Sequence, residues 1–182
     1  MRGAERRPFV VVSGLPASGK TTLGRQLAQA LGLPLLDKDD ILDALFESAG
    51  EVDRAVRQRL SRMSDDVLEK IAIASHGAVI VSFWRHESTG GTAGTPTAWL
   101  SSLPGALVEV HCVCPPEIAE RRFRERQRHP GHKDGDRSGL IEQFQALAER
   151  GRLGVGAAVV VRTDEPYELA DVLEKIREHV ES

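Results

Sequence analysis

The chain predicts an α/β fold: a parallel sheet in the middle of three layers, with helices on both faces. Three observations carry this. Short apolar runs recur at Phe9-Val10-Val11-Val12, at residues 33–36, at Ala78-Val79-Ile80-Val81, at residues 106–113 and at residues 157–161, most of them rich in valine. Each suits a strand buried on both faces. Between them lie stretches with apolar residues at helical spacing, and strands alternating with helices imply a parallel sheet. The first strand also passes into the first helix through a glycine-bearing turn, and such sheets bind ligands at the carboxyl ends of their strands.

Composition bounds the rest. At 182 residues and 41% hydrophobic content, the chain has the size and character of one globular domain with a good core, spanning 1–182. A formal net charge of -3 argues against a protein built to coat nucleic acid. No apolar run approaches a membrane span. Residues 1–8 read as a frayed basic leader (Arg2, Arg6, Arg7) without the hydrophobic region of a secretory signal. Cys112 and Cys114 alternate on one face of a predicted strand and cannot easily bridge to each other. Buried thiols in a reducing cytoplasm are the plain reading.

Taken in order, the first strand leads to a helix carrying Leu23, Leu27, Ala30 and Leu31, with Gly32 as its C-cap. The run at 33–36 ends in Asp37-Lys38-Asp39-Asp40, and Ile41, Leu42, Leu45 and Phe46 resume helical spacing until Ala49-Gly50. The acidic cluster therefore joins a strand C-terminus to a helix N-terminus, and Asp40 is the expected helix cap. A long amphipathic helix over 51–75 places Val52, Val56, Leu60, Met63, Val67, Leu68 and Ile71 on one stripe. After the strand at 78–81, residues 82–97 form a long polar connection, either functional or merely mobile. A short helix at 98–103 precedes the strand at 106–113. Pro115-Pro116 opens an arginine-rich helix running to about Arg128, followed by a polar, glycine-bearing segment at 129–139 and a helix at 140–150. The last strand gives way to a helix opened by Pro166, with Leu169, Val172, Leu173, Ile176 and Val180 facing inward.

The chemistry begins at Gly14-Leu15-Pro16-Ala17-Ser18-Gly19-Lys20-Thr21, followed by Thr22. This fits the phosphate-binding pattern G-x-x-x-x-G-K-[ST] at every fixed position, with a strand before it and a helix after it. That arrangement points backbone N–H groups and a helix N-terminus at a polyphosphate. Lys20 would reach the β- and γ-phosphates, and the Thr21 hydroxyl would ligate Mg²⁺. A carboxylate at the end of the neighbouring strand is well placed to position an acceptor hydroxyl and take its proton.

With these motifs the chain resembles the P-loop small-molecule kinases: shikimate and gluconate kinases, chloramphenicol phosphotransferase and the kinase domain of polynucleotide kinase. The likeness implies a P-loop kinase-like fold with a small helical lid at about 122–139, and ATP and Mg²⁺ as cofactors. Leu36-Asp37-Lys38-Asp39-Asp40-Ile41 is similar to the D-x-D stretch of the shikimate-type kinases. The match implies that Asp39 contacts the acceptor hydroxyl and that Asp37 lies nearer the metal. Arg122 and Arg126 resemble the R-x-x-x-R of kinase lids, implying a base contact for Arg122 and a phosphate clamp for Arg126. His129-Pro130-Gly131-His132 would belong to the mobile lid, its histidines serving as loop residues or nucleotide contacts.

The implied function is transfer of the γ-phosphoryl group of ATP to a hydroxyl of a small molecule: an antibiotic, sugar, polyol or nucleoside. Two departures matter. Ser82 stands where a Walker B aspartate would end its strand, and no arginine follows Asp40-Ile41-Leu42 as in polynucleotide kinase. The second disfavours a polynucleotide 5′-hydroxyl kinase; the first, with the acidic pair, disfavours a plain ATPase or switch. Phe83-Trp84-Arg85-His86-Glu87 matches no family pattern, with Trp84 available to stack on an acceptor and Arg85 to hold an anion, or either simply to pack.

Overall fold

The computed structural model describes residues 7–86, 93–132 and 138–181. Most of the leader at 1–8, part of the long connection (87–92) and part of the lid segment (133–137) lie outside the described residues. Five parallel strands, β1 (Phe9–Gly14), β2 (Leu35–Asp37), β3 (Ala78–Val81), β4 (Leu107–Val113) and β5 (Ala157–Arg162), lie in the order β2-β3-β1-β4-β5. The strand carrying the phosphate loop is central. Val10 pairs with Val79 on one side and Val108 on the other.

Alternation along the strands separates two cores. Val10, Val12, Val79, Val81, Val108 and Val110 face α1 (Lys20–Leu31) and α6 (Leu169–Glu181), meeting Leu23, Leu27 and Ile176. Phe9, Val11 and Ile80 face the other way, against Leu68 and Ala72 of α3 (Arg54–Ala74) and against Trp84, Trp99 and Leu100. Each such side chain, fully buried, contributes about 1.5–3 kcal/mol, which is why the all-apolar β1 runs through the middle. Two smaller clusters complete the body. Leu42 and Phe46 of α2 (Lys38–Ala49) pack on Leu60, while α4 (Pro116–Glu125) and α5 (Leu140–Glu149) enclose Leu15, Cys114, Ala119 and Phe144.

Several expectations change. The buried stripe of α3 is Leu60, Ser64, Leu68 and Ala72, whereas Met63, Val67 and Ile71 are 43%, 37% and 44% exposed. Hydrophobicity alone found Leu60 and Leu68 but not Ser64 and Ala72, whose small side chains allow the helix to approach the sheet closely. Val52 precedes α3, and Val56 packs toward α2. The segment at Ala98–Ser102 is a 3-10 turn, α6 begins at Leu169 rather than at Pro166, and α4 stops at Glu125, three residues early. Gly32 caps α1 as expected, in the left-handed conformation with its N–H on the Ala28 and Gln29 carbonyls.

One buried charge was not anticipated. Glu109, in the middle of β4, is wholly buried. Its carboxylate accepts hydrogen bonds from Ser13 Oγ at 2.6 Å and from the backbone N–H groups of Leu153 and Gly154 at 2.8 and 2.9 Å. It ties the α5–β5 connection to the sheet beneath the phosphate loop. Hydrogen bonds to a charged group are worth about 1.5–3 kcal/mol each, and removing the acceptor strands buried donors. Glu109→Ala should therefore lower unfolding free energy by roughly 3–5 kcal/mol in denaturant titrations. A loss under about 1 kcal/mol would show that the connection is held by other contacts.

Candidate functional site

The phosphate loop, the acidic cluster, the start of the 82–97 connection and the arginine segment all leave strand carboxyl ends, and all line one cleft of about 1220 Å³. The loop needs its glycines. Gly14 has φ 133°, and a Cβ there would stand 2.4 Å from the Cys112 carbonyl oxygen of the neighbouring strand. Lys20 opens α1, and its ammonium folds back across the loop to donate to the carbonyls of Gly14 (3.1 Å) and Leu15 (2.6 Å). Burial pushes its pKa down to about 8. Ser18 Oγ is buried in the same loop with no hydrogen-bond partner. An orphaned hydroxyl and an ammonium held only by carbonyls are donors suited to phosphate oxygens.

Beside them the Thr21 hydroxyl donates to Asp37 Oδ2 at 2.8 Å. Asp37 also accepts from the Asp39 N–H at 3.0 Å, so it caps α2 itself. The cap expected at Asp40 is thus corrected: Asp40 is exposed on the first turn, 3.6 Å from Arg25. The chain reaches Asp37 in extended conformation, as an N-cap requires, whereas Asp40 is already within the helix. Burial pushes the Asp37 carboxyl up to about 6, against the pull of its two hydrogen bonds. A hydroxyl and a carboxylate are the hard oxygen donors that Mg²⁺ takes. Ser82, in the Walker B position, is engaged elsewhere, 2.5 Å from Thr95 Oγ1, which in turn donates to Asp65.

Pro16, Ala17, Gly19 and Thr22 also line the cleft, whereas Leu15 turns its side chain into the α4–α5 cluster. Arg122 donates from both terminal nitrogens to the Thr163 carbonyl at 3.2 and 3.3 Å, and the Thr163 hydroxyl donates to the Ser18 carbonyl at 2.6 Å. Arg122 is therefore tied, through Thr163, to the phosphate loop. Arg126 is the C-cap residue of α4 and stacks 4.0 Å over the Phe123 ring, with both side chains on the cleft wall. Trp84 does not reach the cleft as an acceptor platform. It is buried, with its indole N–H on the Val12 carbonyl at 2.9 Å. Arg85 does line the cleft and donates to the Gly94 carbonyl.

Beyond α4 the chain docks on α2, a contact that the sequence reading missed. Arg128 pairs with Asp39 Oδ2 at 2.5 Å, His132 Nε2 lies 2.6 Å from Asp43, and Phe46 stacks on His129 at 5.4 Å between ring centres. Asp39, Asp43 and Phe46 share one face of α2. The spacing of that acidic and aromatic stripe was the available signal. Arg57 of α3 adds a hydrogen bond from Nε to the His132 carbonyl at 2.6 Å. At Gly131 a Cβ would fall 2.6 Å from the Phe46 ring, so only glycine allows the approach. Gly131→Ala should lift this segment, at a cost of about 1–3 kcal/mol, and raise limited proteolysis near residue 131 several-fold. Unchanged cleavage would mean that the packing on Phe46 does not hold the segment down.

Comparison with known proteins places the chain in a family. The family model described as an AAA domain matches residues 9–150. Shikimate kinase from Mycobacterium tuberculosis (strain ATCC 25177 / H37Ra) is 36% identical over 109 residues, 56% of this chain and 54% of its own length. Shikimate kinase from Mycobacterium leprae is 30% identical over 144 residues, covering 79% of this chain and 67% of its own. The chain thus spans about half the length of most of these curated relatives. A crystal structure from Chloroflexus aurantiacus J-10-fl, described provisionally as a kinase, superposes with a TM-score of 0.77 at 26% identity over 96% of this chain and 98% of that one. A gluconokinase from Sinorhizobium meliloti 1021 shares the fold alone, with a TM-score of 0.51 at 19% identity over 97% of this chain and 91% of its own. With its phosphate loop, acidic strand end and arginine segment around one cleft, the chain belongs to the P-loop family that the AAA domain model describes, among relatives named as kinases.

Proposed function

We propose that the protein is an ATP-dependent kinase that phosphorylates a hydroxyl of a small molecule, acting as one domain in the cytoplasm. The observation that carries this is one cleft holding the phosphate loop with its buried ammonium, the Thr21–Asp37 pair and the Asp39 carboxylate. When bound, ATP with Mg²⁺ supplies the phosphoryl group to be moved. Gly14 to Thr22 and Arg122 would hold the nucleotide, and Thr21 and Asp37 the metal.

The residues then divide the work. Lys20 brings a positive charge, already desolvated, to where negative charge builds in the transition state, and Arg126 adds a second from the cleft wall. Asp39 takes the proton of the attacking hydroxyl. Its Oδ2 carries Arg128, which leaves Oδ1 for the acceptor. Arg128 is thus a positioning residue: it fixes the rotamer of an otherwise half-exposed carboxylate. The acceptor half of the cleft is walled by Arg57, Arg62, Asp65 and Arg85, a polar lining that suits a hydroxyl-rich molecule better than a greasy one. The net charge of -3 supports a small acceptor over a nucleic acid.

Two measurements test this. Asp39→Asn keeps size but removes basicity, so turnover should fall by roughly 10²–10⁴-fold with ATP affinity little changed. The assay runs ATP alone, then shikimate, gluconate, other sugars, polyols, nucleosides and antibiotics, then 5′-hydroxyl oligonucleotides. Acceptor-independent ATP hydrolysis with no gain from any small hydroxyl compound would replace the kinase reading by an ATPase.

The second measurement uses pH. Asp37 has a raised pKa near 6, so it is neutral below that pH and anionic above it. The Mg²⁺ concentration needed for half-maximal nucleotide binding should rise as pH falls from 7 to 5, more than protonation of the ATP phosphate alone would cause, and Asp37→Asn should lessen that dependence. An equal pH dependence in wild type and Asp37→Asn would take Asp37 out of the metal site.

A further inference from the structure

We propose that a second cavity, beside the start of the phosphate loop, is a binding site for a small aromatic alcohol whose hydroxyl donates to Nε2 of His111. The cavity measures about 370 Å³, at the low end of the range for small-molecule pockets. Its walls are mostly apolar, from Leu15, Phe83, Trp84, Leu147 and Val160. Of its lining the kinase reading uses Gly14 and Leu15 alone, and among the described residues only Phe83 is shared with the main cleft.

Proton counting defines what the site recognises. Ser13 has one hydroxyl proton, and it goes to the buried Glu109 carboxylate at 2.6 Å, which as an acceptor cannot return one. Ser13 Oγ lies 2.8 Å from His111 Nδ1 and can therefore only accept there. The ring proton of His111 must then sit on Nδ1. Burial, with Arg152, His86 and Lys20 nearby, favours the neutral ring over the facing Glu109 charge. Neutral and protonated on Nδ1, the imidazole keeps a lone pair on Nε2, so it asks for a donor. Glu109 is wholly buried and does not line the cavity, so it does not compete for the ligand.

The walls choose the rest of the molecule. Two aromatic side chains and three aliphatic ones favour a ring over a polyol. Arg152 at the lining disfavours a cation and tolerates an anionic substituent. Among the described residues no cluster of three or more His, Cys, Asp or Glu forms a metal site, so His111 with His86 does not read as a metal centre. Because Ser13, Gly14 and Leu15 form one wall, an occupant would touch the strand end from which the phosphate loop springs.

The test uses phenol as probe and anisole, its methyl-capped counterpart, as control, on the full chain without nucleotide. ¹⁵N-histidine spectra should show His111 as a neutral ring protonated on Nδ1, and phenol should shift the Nε2 signal saturably. Anisole should bind about tenfold more weakly, the scale of one lost hydrogen bond. His111→Asn, whose amide nitrogen can replace Nδ1 toward Ser13 but offers nothing at Nε2, should weaken phenol by a similar factor. Leu147→Trp, which fills the cavity, should abolish binding while the ¹⁵N spectrum confirms folding. A proton found on Nε2, no saturable shift up to the solubility of phenol, equal binding of phenol and anisole, or phenol binding undiminished in folded Leu147→Trp would each overturn the proposal. None of these readouts depends on phosphoryl transfer, so the outcome is separate from that of the kinase assay.

Discussion

The arrangement depends on one close approach: the backbone of Gly14 against the Cys112 carbonyl of β4. A parallel sheet with a central strand buried on both faces ends in a turn that has no room for a side chain. Because that turn is tight, the carbonyls of Gly14 and Leu15 converge on the Lys20 ammonium. The ammonium is thereby stripped of water before any ligand arrives, which is costly for a free cation and useful for one awaiting phosphate. Ser18, turned inward without a partner, carries a smaller cost of the same kind. The loop stores unsatisfied donors where a polyphosphate would satisfy them.

Around that loop the structure is a set of ties. Thr163 joins the end of β5 to Ser18, Asp37 joins β2 to Thr21, and Glu109 joins Ser13 to the α5–β5 connection. The first two run between a strand's carboxyl end and the phosphate-binding motif, and the third runs beneath it from the middle of β4. Side chains on separate elements are thus held in register by polar contacts, while the packing below is apolar and indifferent to chemistry. The Arg128–Asp39 pair adds a tie from the segment after α4, and Phe46 provides the surface on which that segment rests.

Much of this was legible in the sequence. The strands, the loop and the gathering of Lys20, Thr21, Asp37 and Asp39 at one cleft rest on local patterns: buried apolar runs, a fixed glycine–lysine spacing and acids at a strand end. What was missed depends on distance in the chain. Glu109 looks like an interruption in a strand until Leu153 and Gly154 arrive 44 and 45 residues later. Arg128 finds Asp39 across 89 residues, which no helical wheel reveals. The stripe on α3 failed for a different reason. Hydrophobicity marks residues that prefer burial, whereas close packing on a sheet selects small ones, and Ser64 and Ala72 won.

The two cysteines acquire meaning from where they sit. Burial holds the Cys112 thiol protonated, up to about 12, and pushes Cys114 in the same direction. Thiolate is the species that oxidants and alkylating agents attack, so both sulfurs are poor targets. The carbonyl that Gly14 must clear belongs to one of them, and Cys114 packs beneath Leu15. The seam between the phosphate loop and β4 therefore contains sulfur without being a redox-sensitive joint. Burial thus shields the shape of this loop from reagents that need a thiolate, even with thiols directly under it.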